Sequence, residues 1–514
     1  MGCEPRGPAI KFAGSCAASG ILLTLCFPKF NLGWLAWASL LPLALAVLTP
    51  GAPKRSFYGG WLAGTLAYAG ILYWIIPTCR MGNVSWPLAA AALLALSLYM
   101  GLFVGLWAAG TAWAGLNLPS AGIALMGAAL WTSLEFIKGS LWGGFPWMLL
   151  GYSQWQFSPI MQICSITGIY GLGFVIALVN VILALAISRR PARTNLAVWA
   201  PAVLALALSL SYGYYTLRHN PAGAASPGPE RRICILQPNI NQYKKWNAKY
   251  EKESRESLAQ LAEQAAVLKP ELIVWPEASL PGWWNDPEYA LWLSALARKS
   301  GAYHLVGTPL ADSRGHRNAA ILISPRGAWE NSYFKQHLVP FGEQIPFPIL
   351  EHLIPVLNAL GGISAGSRGQ MPMPSPVGKL GVNICYEAIF PAISRRAAQN
   401  GAHILVNLTN DAWYLETAAP YQHWIMNVAR AIETRRWVIR SANTGISGVI
   451  DPYGRIIAQT PLQVRAVLDF TAPSGLPAAG SVYSRCGDFF VYFCAGYCLL
   501  CWGVFRLRQA LRQP

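Results

Sequence analysis

The sequence predicts an α-helical membrane domain joined to a soluble α/β domain, and its composition is the first reason. The 514 residues are 54% hydrophobic and only 12% charged, whereas soluble domains contain roughly 25% charged residues. The charges are also uneven, because residues 12–53 contain one charged side chain, Lys29, and residues 247–256 contain six. Thirdly, long apolar stretches give way to alternating strand and helix patterns after about residue 215. One part of the chain is therefore suited to lipid and the other to water.

Eight apolar stretches are long enough to cross a bilayer, which takes roughly 20 residues each. They lie at residues 9–27, 31–49, 57–77, 86–114, 121–137, 162–187, 195–215 and 488–505. We therefore expect about eight transmembrane helices, seven of them in a membrane domain of residues 1–215. The eighth belongs to a C-terminal segment, residues 488–514, which ends in a short tail. Lys138, three residues after Glu135 in the fifth stretch, is expected to extend its side chain to the membrane interface.

The basic residues predict the orientation of these helices, since cytoplasmic loops carry an excess of Lys and Arg. With the N-terminus in the cytoplasm, the outside loops contain only Lys29, Arg80 and Lys138. The inside segments then contain Arg6, Lys11, Lys54, Arg55, Arg189, Arg190, Arg193, Arg506, Arg508 and Arg512. Both termini are therefore expected in the cytoplasm, and residues 216–487 on the opposite side of the membrane.

Residues 216–487 alternate between strand-like and helix-like patterns, as an α/β domain does. Strand-like runs occur at 233–237, 272–275, 303–307, 319–324, 380–385 and 403–408, with a further run beginning at Trp437. Helical patterns cover about 247–268, 287–299, 390–399 and 420–435. A segment of this length forms one substantial core. In such folds catalytic groups gather at the ends of strands.

Three chemically useful side chains each follow one of the apolar runs. Cys385 ends Leu-Gly-Val-Asn-Ile-Cys, Glu277 ends Leu-Ile-Val-Trp-Pro-Glu, and Lys335 follows Tyr-Phe. A thiol at a strand end suits a nucleophile, a carboxylate can take its proton, and a nearby cation favours the thiolate. Lys335 and the backbone N–H groups around Cys385 and Tyr386 are candidates for stabilising an oxyanion. Glu343, eight residues after Lys335, is expected either to orient the lysine or to help shuttle the proton.

Taken singly, each of these residues has an ordinary structural explanation, such as a buried cysteine or a solvated charge. Together they predict a Cys-Lys-Glu site for acyl transfer. The soluble region has no CxxC spacing and no Cys/His cluster, so neither a metal nor a cofactor is expected. His337 and His423 lack a partner spacing that would assign them chemistry. The net charge of +17 follows largely from the cytoplasmic basic residues, and no nucleic-acid partner is expected.

Several segments resemble the carbon–nitrogen hydrolase (nitrilase) superfamily and, over nearly the whole chain, its membrane branch, the bacterial apolipoprotein N-acyltransferases. They include Trp-Pro-Glu ending at Glu277, Lys335 followed by Leu-Val-Pro-Phe-Gly-Glu at 338–343, and Cys-Tyr-Glu at 385–387. Further similar segments lie at 144–147, 151–154, 407–413, 420–423 and 442–447. The resemblance implies that the soluble domain is a nitrilase-like αββα sandwich.

The resemblance also implies a ping-pong reaction. Cys385 takes a fatty acyl chain from a phospholipid, phosphatidylethanolamine in the family, and passes it to the α-amino group of the S-diacylglyceryl cysteine that begins an apolipoprotein. Carried over by motif, Glu277 is the base, Lys335 the oxyanion-side cation and Glu343 a supporting carboxylate. The matching Tyr386 and Glu387 shape the pocket, and Trp246 is similar to the tryptophan of a mobile family loop. The implied location is the bacterial inner membrane, with the catalytic domain on the periplasmic side.

Two other functions remain compatible with the sequence. A membrane-tethered amidase or nitrilase would use the same three residues and pass the acyl group to water. A non-catalytic lipid transporter or scaffold would account for the clustered apolar stretches, although these stretches contain few of the charges and helix breaks that build a transport path.

Overall fold

The computed structural model describes residues 6–49, 53–188, 196–221, 231–313, 315–345, 362–472 and 480–512. The chain forms two compact units. The helical unit comprises Met1–His219, Thr417–Gln422 and Cys486–Pro514, and the α/β unit comprises Asn220–Glu416 and His423–Arg485. The predicted domain boundaries place residues 417–422 in the soluble domain with the rest of 216–487, whereas Thr417–Gln422 groups with the helical unit.

The first part of the helical unit contains helices of very different lengths. They are α1 (Arg6–Leu25), α2 (Ala36–Ser39), α3 (Leu41–Leu48), α4 (Pro53–Ile71), α5 (Ile75–Met81), α6 (Trp86–Asn117), α7 (Ser120–Lys138), α8 (Ser158–Met161), α9 (Cys164–Thr167), α10 (Ile169–Ile187) and α11 (Leu196–His219). All of the predicted apolar stretches up to residue 215 are thus largely helical. The orientation residues Arg189, Arg190 and Arg193 lie outside the described residues.

The predicted total of about eight spans is not confirmed. Within the described residues, five helices are long and apolar enough to cross a membrane, namely α6, α7, α10, most of α11 and a C-terminal helix, Phe489–Ala510. A sixth candidate is the pair α4 and α5, which is bent by 49°. The two remaining stretches form shorter apolar helices, Ala9–Leu25 and Gly33–Leu48. These two remain predicted spans.

The stretch 31–49 is interrupted between α2 and α3, and a buried asparagine compensates for the break. Pro42 occupies the first turn of α3 and has no N–H to donate. The side chain of Asn180 accepts a hydrogen bond from the N–H of Leu40 and donates one to the carbonyl of Ala36, both at 2.9 Å. Since an unpaired backbone group is costly in an apolar interior, this side chain stabilises the break.

Helices α4 and α6 approach closely through two glycine motifs. A methyl group added to Gly60 would lie 3.0 Å from the Cα of Gly105, and one added to Gly64 would lie 2.8 Å from the Cα of Gly101. Both pairs are spaced Gly-x-x-x-Gly, the pattern that lets transmembrane helices pack backbone to backbone.

The prediction for Lys138 is wrong. Its side chain is only 2% exposed and donates to the hydroxyl of Tyr68 instead of extending to an interface. Glu135 is also buried and accepts a hydrogen bond of 2.7 Å from the N–H of Leu150. The hydroxyl and the loop N–H are supplied by segments distant in sequence, so the local pattern gave no sign of them.

The described residues of the α/β unit form two sheets. Its strands are β1 (Arg231–Gln237), β2 (Leu272–Val274), β3 (Tyr303–Asp312), β4 (Gly315–Ile323), β5 (Trp329–Phe334), β6 (Leu380–Ile384), β7 (Ile404–Thr409), β8 (Trp437–Ala442), β9 (Gly448–Ile450), β10 (Ile456–Gln459) and β11 (Ala466–Ala472). Among the described residues, one sheet has the order β11-β1-β2-β3-β4-β5 and the other β10-β9-β8-β7-β6. The pairs β1–β2, β2–β3, β6–β7 and β7–β8 are parallel, and the other pairs are antiparallel.

The α/β unit also contains helices. They are α12 (Gln242–Lys245), α13 (Glu251–Val267), α14 (Pro287–Ser300), α15 (Pro391–Gln399), α16 (Ala419–Thr434) and α17 (Val482–Cys486), after which α18 (Phe489–Ala510) belongs to the helical unit. The first turn of α16 also belongs to the helical unit, and its remainder to the α/β unit.

Strand β1 shows how the layers form. Ile233 and Ile235 belong to a buried cluster that also contains Leu380 and Val406 of the other sheet. Cys234 and the other alternate residues face a second cluster, which includes side chains of α13 and α14. Successive strand residues point to opposite faces, so the two sheets pack face to face with helices outside them. The nitrilase-like αββα sandwich is thereby confirmed.

Candidate active site

Each of the three predicted catalytic residues lies just beyond the end of a strand. Cys385 directly follows β6, Lys335 directly follows β5, and Glu277 is three residues beyond β2. The backbone of Cys385 has a φ of +54°, a left-handed conformation that non-glycine residues seldom adopt. It opens a single turn of 3₁₀ helix, Cys385–Ile389, and this sharp turn follows a rigid, fully buried strand.

The Lys335 ammonium is the centre of a buried polar cluster. Its Nζ lies 2.8 Å from Glu343 Oε1 and 3.3 Å from Glu277 Oε1. Asn318 on β4 donates to the same two oxygens, at 2.8 Å to Glu277 and 3.3 Å to Glu343. Lys335 is 1% exposed, and an isolated ammonium would be very unfavourable at such a site. Two carboxylates compensate for its charge.

The second carboxylate oxygen of Glu277 and its main chain have partners of their own. Oε2 accepts a hydrogen bond of 2.8 Å from the N–H of Asn410, which follows β7. The carbonyl of Glu277 accepts one of 3.3 Å from the Nζ of Lys245, at the end of α12. Lys245 is only 3% exposed. A second ammonium, absent from the predicted site, therefore lies beside the carboxylate.

The charges in this cluster shift the pKa values of its members. Burial alone would raise the pKa of Glu277, but the Lys335 charge, with hydrogen bonds from Asn318 and Cys385, holds that pKa below its ordinary value. Burial alone would lower the pKa of Lys335, but the Glu343 and Glu277 carboxylates raise it above its ordinary value. The resting cluster is thus an ionised carboxylate next to a charged ammonium.

The pKa of the Cys385 thiol does not follow the expectation that the nearby Lys335 would lower it and so favour the thiolate. Burial and the Glu277 charge raise the pKa of Cys385, and the opposing effect of Lys335 is smaller. The expected resting thiolate is therefore not what this environment favours. A neutral thiol beside an ionised carboxylate requires that its proton be removed during attack, which is the task of a general base.

Glu387 links the segments that carry the nucleophile and the lysine. Its Oε1 accepts hydrogen bonds from the N–H groups of Gln336 and His337, at 2.7 and 3.0 Å. Its Oε2 accepts one from the N–H of Ile384 at 2.7 Å and one from the Tyr333 hydroxyl at 2.8 Å. Burial raises the pKa of Glu387 to about 7 in spite of these donors. This carboxylate ties the chain before Cys385 to the chain after Lys335.

The other predicted site residues lie around this core. Tyr386 is buried, and its ring packs edge-on against Phe390 with centroids 5.1 Å apart. The His337 ring packs against the same Phe390 ring, tilted by 37° and with centroids 3.8 Å apart. Trp246 follows α12 and is 50% exposed, so its ring is available to a ligand, whereas its neighbour Lys245 is enclosed.

A further buried network lies beneath Cys385. His423 Nε2 is 3.1 Å from the carbonyl oxygen of Cys385, and Nδ1 is 3.0 Å from Asp411 Oδ1. Arg440 Nη2 donates to Asp411 Oδ2 at 2.5 Å, and Nη1 donates to Asn407 Oδ1 at 2.7 Å. Burial alone would raise the pKa of Asp411, but Arg440 and then His423 lower it to about 2.

Four residues of the site, Asp411, Arg440, Asn318 and Lys245, were not predicted. The sequence contains a feature that could have identified only the first two. Asp411 follows the apolar run of β7, so the strand-end criterion that found Cys385 applies to it as well. Arg440 lies inside the fully buried strand β8 after the apolar residues Trp-Val-Ile, where a charge needs a buried partner. Asn318 and Lys245 have no such signal, because their roles depend on chain segments distant in sequence.

No group of three or more His, Cys, Asp or Glu side chains suited to a metal occurs among the described residues.

Comparison with known proteins gives two family matches. Residues 19–182 match the family described as Apolipoprotein N-acyltransferase N-terminal domain, and residues 232–472 match the Carbon-nitrogen hydrolase family. Asn318 and the residues after β2, β5, β6 and β7 all fall within the second match.

Curated relatives extend the similarity to nearly the full length. The chain is 37% identical over 512 residues to the apolipoprotein N-acyltransferase of Geobacter metallireducens, covering 96% of this chain and 95% of the relative. It is 32% identical to that of Methylococcus capsulatus, covering 96% of each. Among solved structures, Saccharomyces cerevisiae Nit3, a nitrilase-superfamily member, is 18% identical with a TM-score of 0.40, over 49% of this chain and 94% of Nit3. The last likeness is too distant to position any residue.

Proposed function

The chain belongs to the apolipoprotein N-acyltransferase family, and we propose that it transfers a fatty acyl chain from a phospholipid to the N-terminal diacylglyceryl cysteine of an apolipoprotein. One observation carries the catalytic part of this proposal. Lys335 lies within 3.3 Å of both Glu277 and Glu343, and its charge, like that of Glu277, acts on the Cys385 thiol. The name shared by the full-length relatives supports the reaction class and substrates.

The first half-reaction forms a thioester on Cys385. Glu277 removes the thiol proton as Sγ attacks the ester carbonyl of the phospholipid. A bond from sulfur to the acyl carbon forms, and the bond from that carbon to the glycerol oxygen breaks. The leaving oxygen takes the proton from Glu277, which releases a lysophospholipid. The Lys335 ammonium lies on the side where negative charge develops, and such preorganised charge is a large contributor to catalysis.

The second half-reaction returns the enzyme to its starting state. The α-amino group of the diacylglyceryl cysteine attacks the thioester, an amide bond forms, and the bond from carbon to sulfur breaks. Glu277 takes a proton from the amine and returns it to the sulfur. Cys385 is only 7% exposed, and exclusion of water from such a site favours transfer to an amine over hydrolysis.

The domain arrangement follows from the apolar stretches and the basic residues. We place residues 1–215 in a membrane domain of seven helices, 216–487 in the catalytic domain, and 488–514 in a final helix with a cytoplasmic tail. Both termini lie in the cytoplasm and the catalytic domain faces the periplasm, as the positive-inside rule predicts. Phosphatidylethanolamine is the proposed acyl donor. A site at the membrane surface spares its chains an exit into water, at about 0.8 kcal/mol per methylene.

The test is the mass of the purified protein after incubation with phosphatidylethanolamine in mixed micelles. We expect one fatty-acyl increment on the peptide that contains Cys385, and no increment in Cys385→Ala. Addition of a diacylglyceryl-cysteine peptide should then remove the increment and acylate the peptide amine. Release of free fatty acid without an acylated peptide would instead identify a hydrolase. Full transfer activity in Cys385→Ala would overturn the thioester scheme.

A further inference from the structure

His423 is a buried imidazole with both ring nitrogens engaged beneath the nucleophile. It is 0% exposed, and its Nε2 lies 3.1 Å from the carbonyl oxygen of Cys385. A carbonyl oxygen only accepts hydrogen bonds, so Nε2 must carry the proton and donate it. Nδ1 lies 3.0 Å from Asp411 Oδ1 and 3.2 Å from Arg440 Nη2. A carboxylate oxygen has no proton to give to Nδ1, so the Arg440 guanidinium is the donor that holds the ring from its opposite side.

The support behind the imidazole is itself fixed. Asp411 accepts hydrogen bonds from Arg440 at 2.5 Å and from the Thr409 hydroxyl at 3.0 Å. Arg440 also donates to Asn407, and Asn407 Nδ2 is a second, longer donor to the Cys385 carbonyl at 3.4 Å. All of these side chains are at most 1% exposed. A buried polar network whose members are all paired is rigid.

The Cys385 carbonyl matters because of the peptide group to which it belongs. The same planar group contains the N–H of Tyr386, one of the candidate donors to the oxyanion. A hydrogen bond that fixes the carbonyl oxygen therefore also fixes the direction of that N–H, and it polarises the N–H as a donor. The fixed carbonyl also opposes relaxation of Cys385 away from its φ of +54°.

A second residue of α16 forms a hydrogen bond with the other end of the 3₁₀ turn that begins at Cys385. Arg430 Nη1 donates to the carbonyl of Ile389 at 3.2 Å, and Ile389 is the last residue of the 3₁₀ turn that Cys385 begins. His423 and Arg430 are seven residues apart, which places them on one face of the helix. Helix α16 thus contacts the first and the last carbonyl of this turn.

We propose that His423 is a positioning residue for acyl transfer, whose Nε2–H holds the Cys385 peptide group in the geometry that the transition state requires. It takes no proton from the substrate and touches no reacting atom. The proposal rests on the acyltransferase function proposed above and deepens it, because it assigns a role to a side chain outside the Glu-Lys-Cys cluster.

Two amide substitutions separate the two contacts of the imidazole. In His423→Gln the amide nitrogen reaches the place of Nε2 and keeps a donor to Cys385. In His423→Asn the shorter side chain reaches only the place of Nδ1, so the Asp411 side keeps a partner and Cys385 loses one. The measurements are kcat and KM for transfer from phosphatidylethanolamine to a diacylglyceryl peptide, together with the thermal unfolding midpoint.

We expect His423→Asn to lower kcat about tenfold to hundredfold with KM nearly unchanged, less than the roughly 10²–10³-fold cost of removing an oxyanion donor itself. His423→Gln should retain kcat within about threefold. Equal losses in both variants, or a larger loss in His423→Gln, would overturn the proposal. If His423→Asn does not fold, His423→Gln decides alone: a tenfold loss with a wild-type unfolding midpoint overturns the proposal, and activity within threefold supports it.

The rate of Cys385 alkylation by iodoacetamide provides a readout that does not need acyl transfer. We expect the wild-type rate in His423→Gln and a changed rate in His423→Asn, and identical rates in all three proteins would contradict positioning. If the wild type transfers no acyl group while the alkylation rates differ as expected, the proposed function fails and the positioning of the thiol stands.

Discussion

Glu387 Oε1 accepts a 2.7 Å hydrogen bond from the backbone N–H of Gln336, the residue that follows Lys335. Through its other oxygen the same carboxylate accepts the N–H of Ile384, the residue that precedes Cys385. The two segments extend from strands of different sheets, β5 and β6. The separation between the ammonium and the nucleophile therefore depends on one buried carboxylate as well as on the packing of the sheets.

Glu387→Gln should misalign the site and destabilise the protein. A glutamine amide has one acceptor oxygen, so its NH₂ would face either the N–H groups after Lys335 or the N–H before Cys385. We expect the free energy of unfolding to fall by about 3 kcal/mol and acylation of Cys385 to slow by more than tenfold. Chemical denaturation and the mass-based acylation assay measure the two effects. Glu330→Gln, at an exposed position of β5, is the control, and equal behaviour of the two variants would contradict this role.

Glu343→Gln should leave the Lys335 ammonium with one carboxylate instead of two. Lys335 is buried, the Glu343 side chain is 14% exposed, and the Nζ to Oε1 distance is 2.8 Å. Removing one partner of a fully buried pair costs about 3–5 kcal/mol, and this partly exposed pair should lose less. Lys335 would then pair with Glu277 alone and make Glu277 a weaker base. We expect slower thioester formation together with a lower free energy of unfolding. Glu256→Gln, whose side chain is 62% exposed, should change neither quantity.

Lys245 should make the reaction depend on pH. Burial lowers its pKa to about 8, although the charges of Glu277 and Cys385 oppose that shift. Below pH 8 the ammonium is present and favours negative charge on the sulfur, and above pH 8 the amine is neutral. Lys245→Met lacks the charge at every pH. We therefore expect it to acylate Cys385 about tenfold more slowly than the wild type near pH 6.5, with the difference disappearing above about pH 9.

A rate ratio between the wild type and Lys245→Met that stays constant from pH 6 to pH 10 would contradict this electrostatic role. The neighbouring Lys244 offers a matched control. Its ammonium pairs with Glu253 at 3.2 Å, and its side chain is 44% exposed. Lys244→Met should leave the pH–rate profile unchanged, because water screens the charge of an exposed side chain.

Gly307→Ala should displace Glu277 directly. A methyl group added to Gly307 on β3 would lie 2.3 Å from the carbonyl oxygen of Pro276 and 2.7 Å from the Cα of Glu277. These are backbone atoms, which cannot rotate out of the way as the end of a flexible side chain can. Because a misplacement of about 1 Å can cost about 10²-fold in rate, we expect kcat to fall about that much while KM changes little. Gly503→Ala, where the methyl group meets open space, should retain activity, and an equally active Gly307→Ala would show that the site tolerates the shift.

The strands that contain a continuous apolar run were predictable, and the other strands among the described residues were not. Each of the seven strand-like runs contains a strand, because a buried strand must be apolar along a short continuous segment. The edge strand β5, Trp329–Phe334, was missed, since its Glu330, Asn331 and Ser332 are partly or fully exposed and give no apolar run. The short strands β9 and β10 and the seven-residue strand β11 were missed as well.

The amino-acid sequence alone determined most of the membrane-like helices, the strands that have an apolar run, and that Cys385 and Glu277 stand at strand ends. The strand before Lys335 was not predicted. These are local properties, set by the spacing of apolar side chains along a few turns or a few strand residues. The motifs on which the family resemblance is based are local in the same sense, because each is a short contiguous segment.

Only the tertiary structure decided the electrostatic state and the support of the site. The neutral thiol, the enclosed Lys245 and the imidazole under the Cys385 carbonyl all depend on partners contributed by distant segments. The same is true of the buried Lys138. The physical reason is that burial, hydrogen bonding and charge pairing are set by distances in space, and a linear pattern records only distances along the chain.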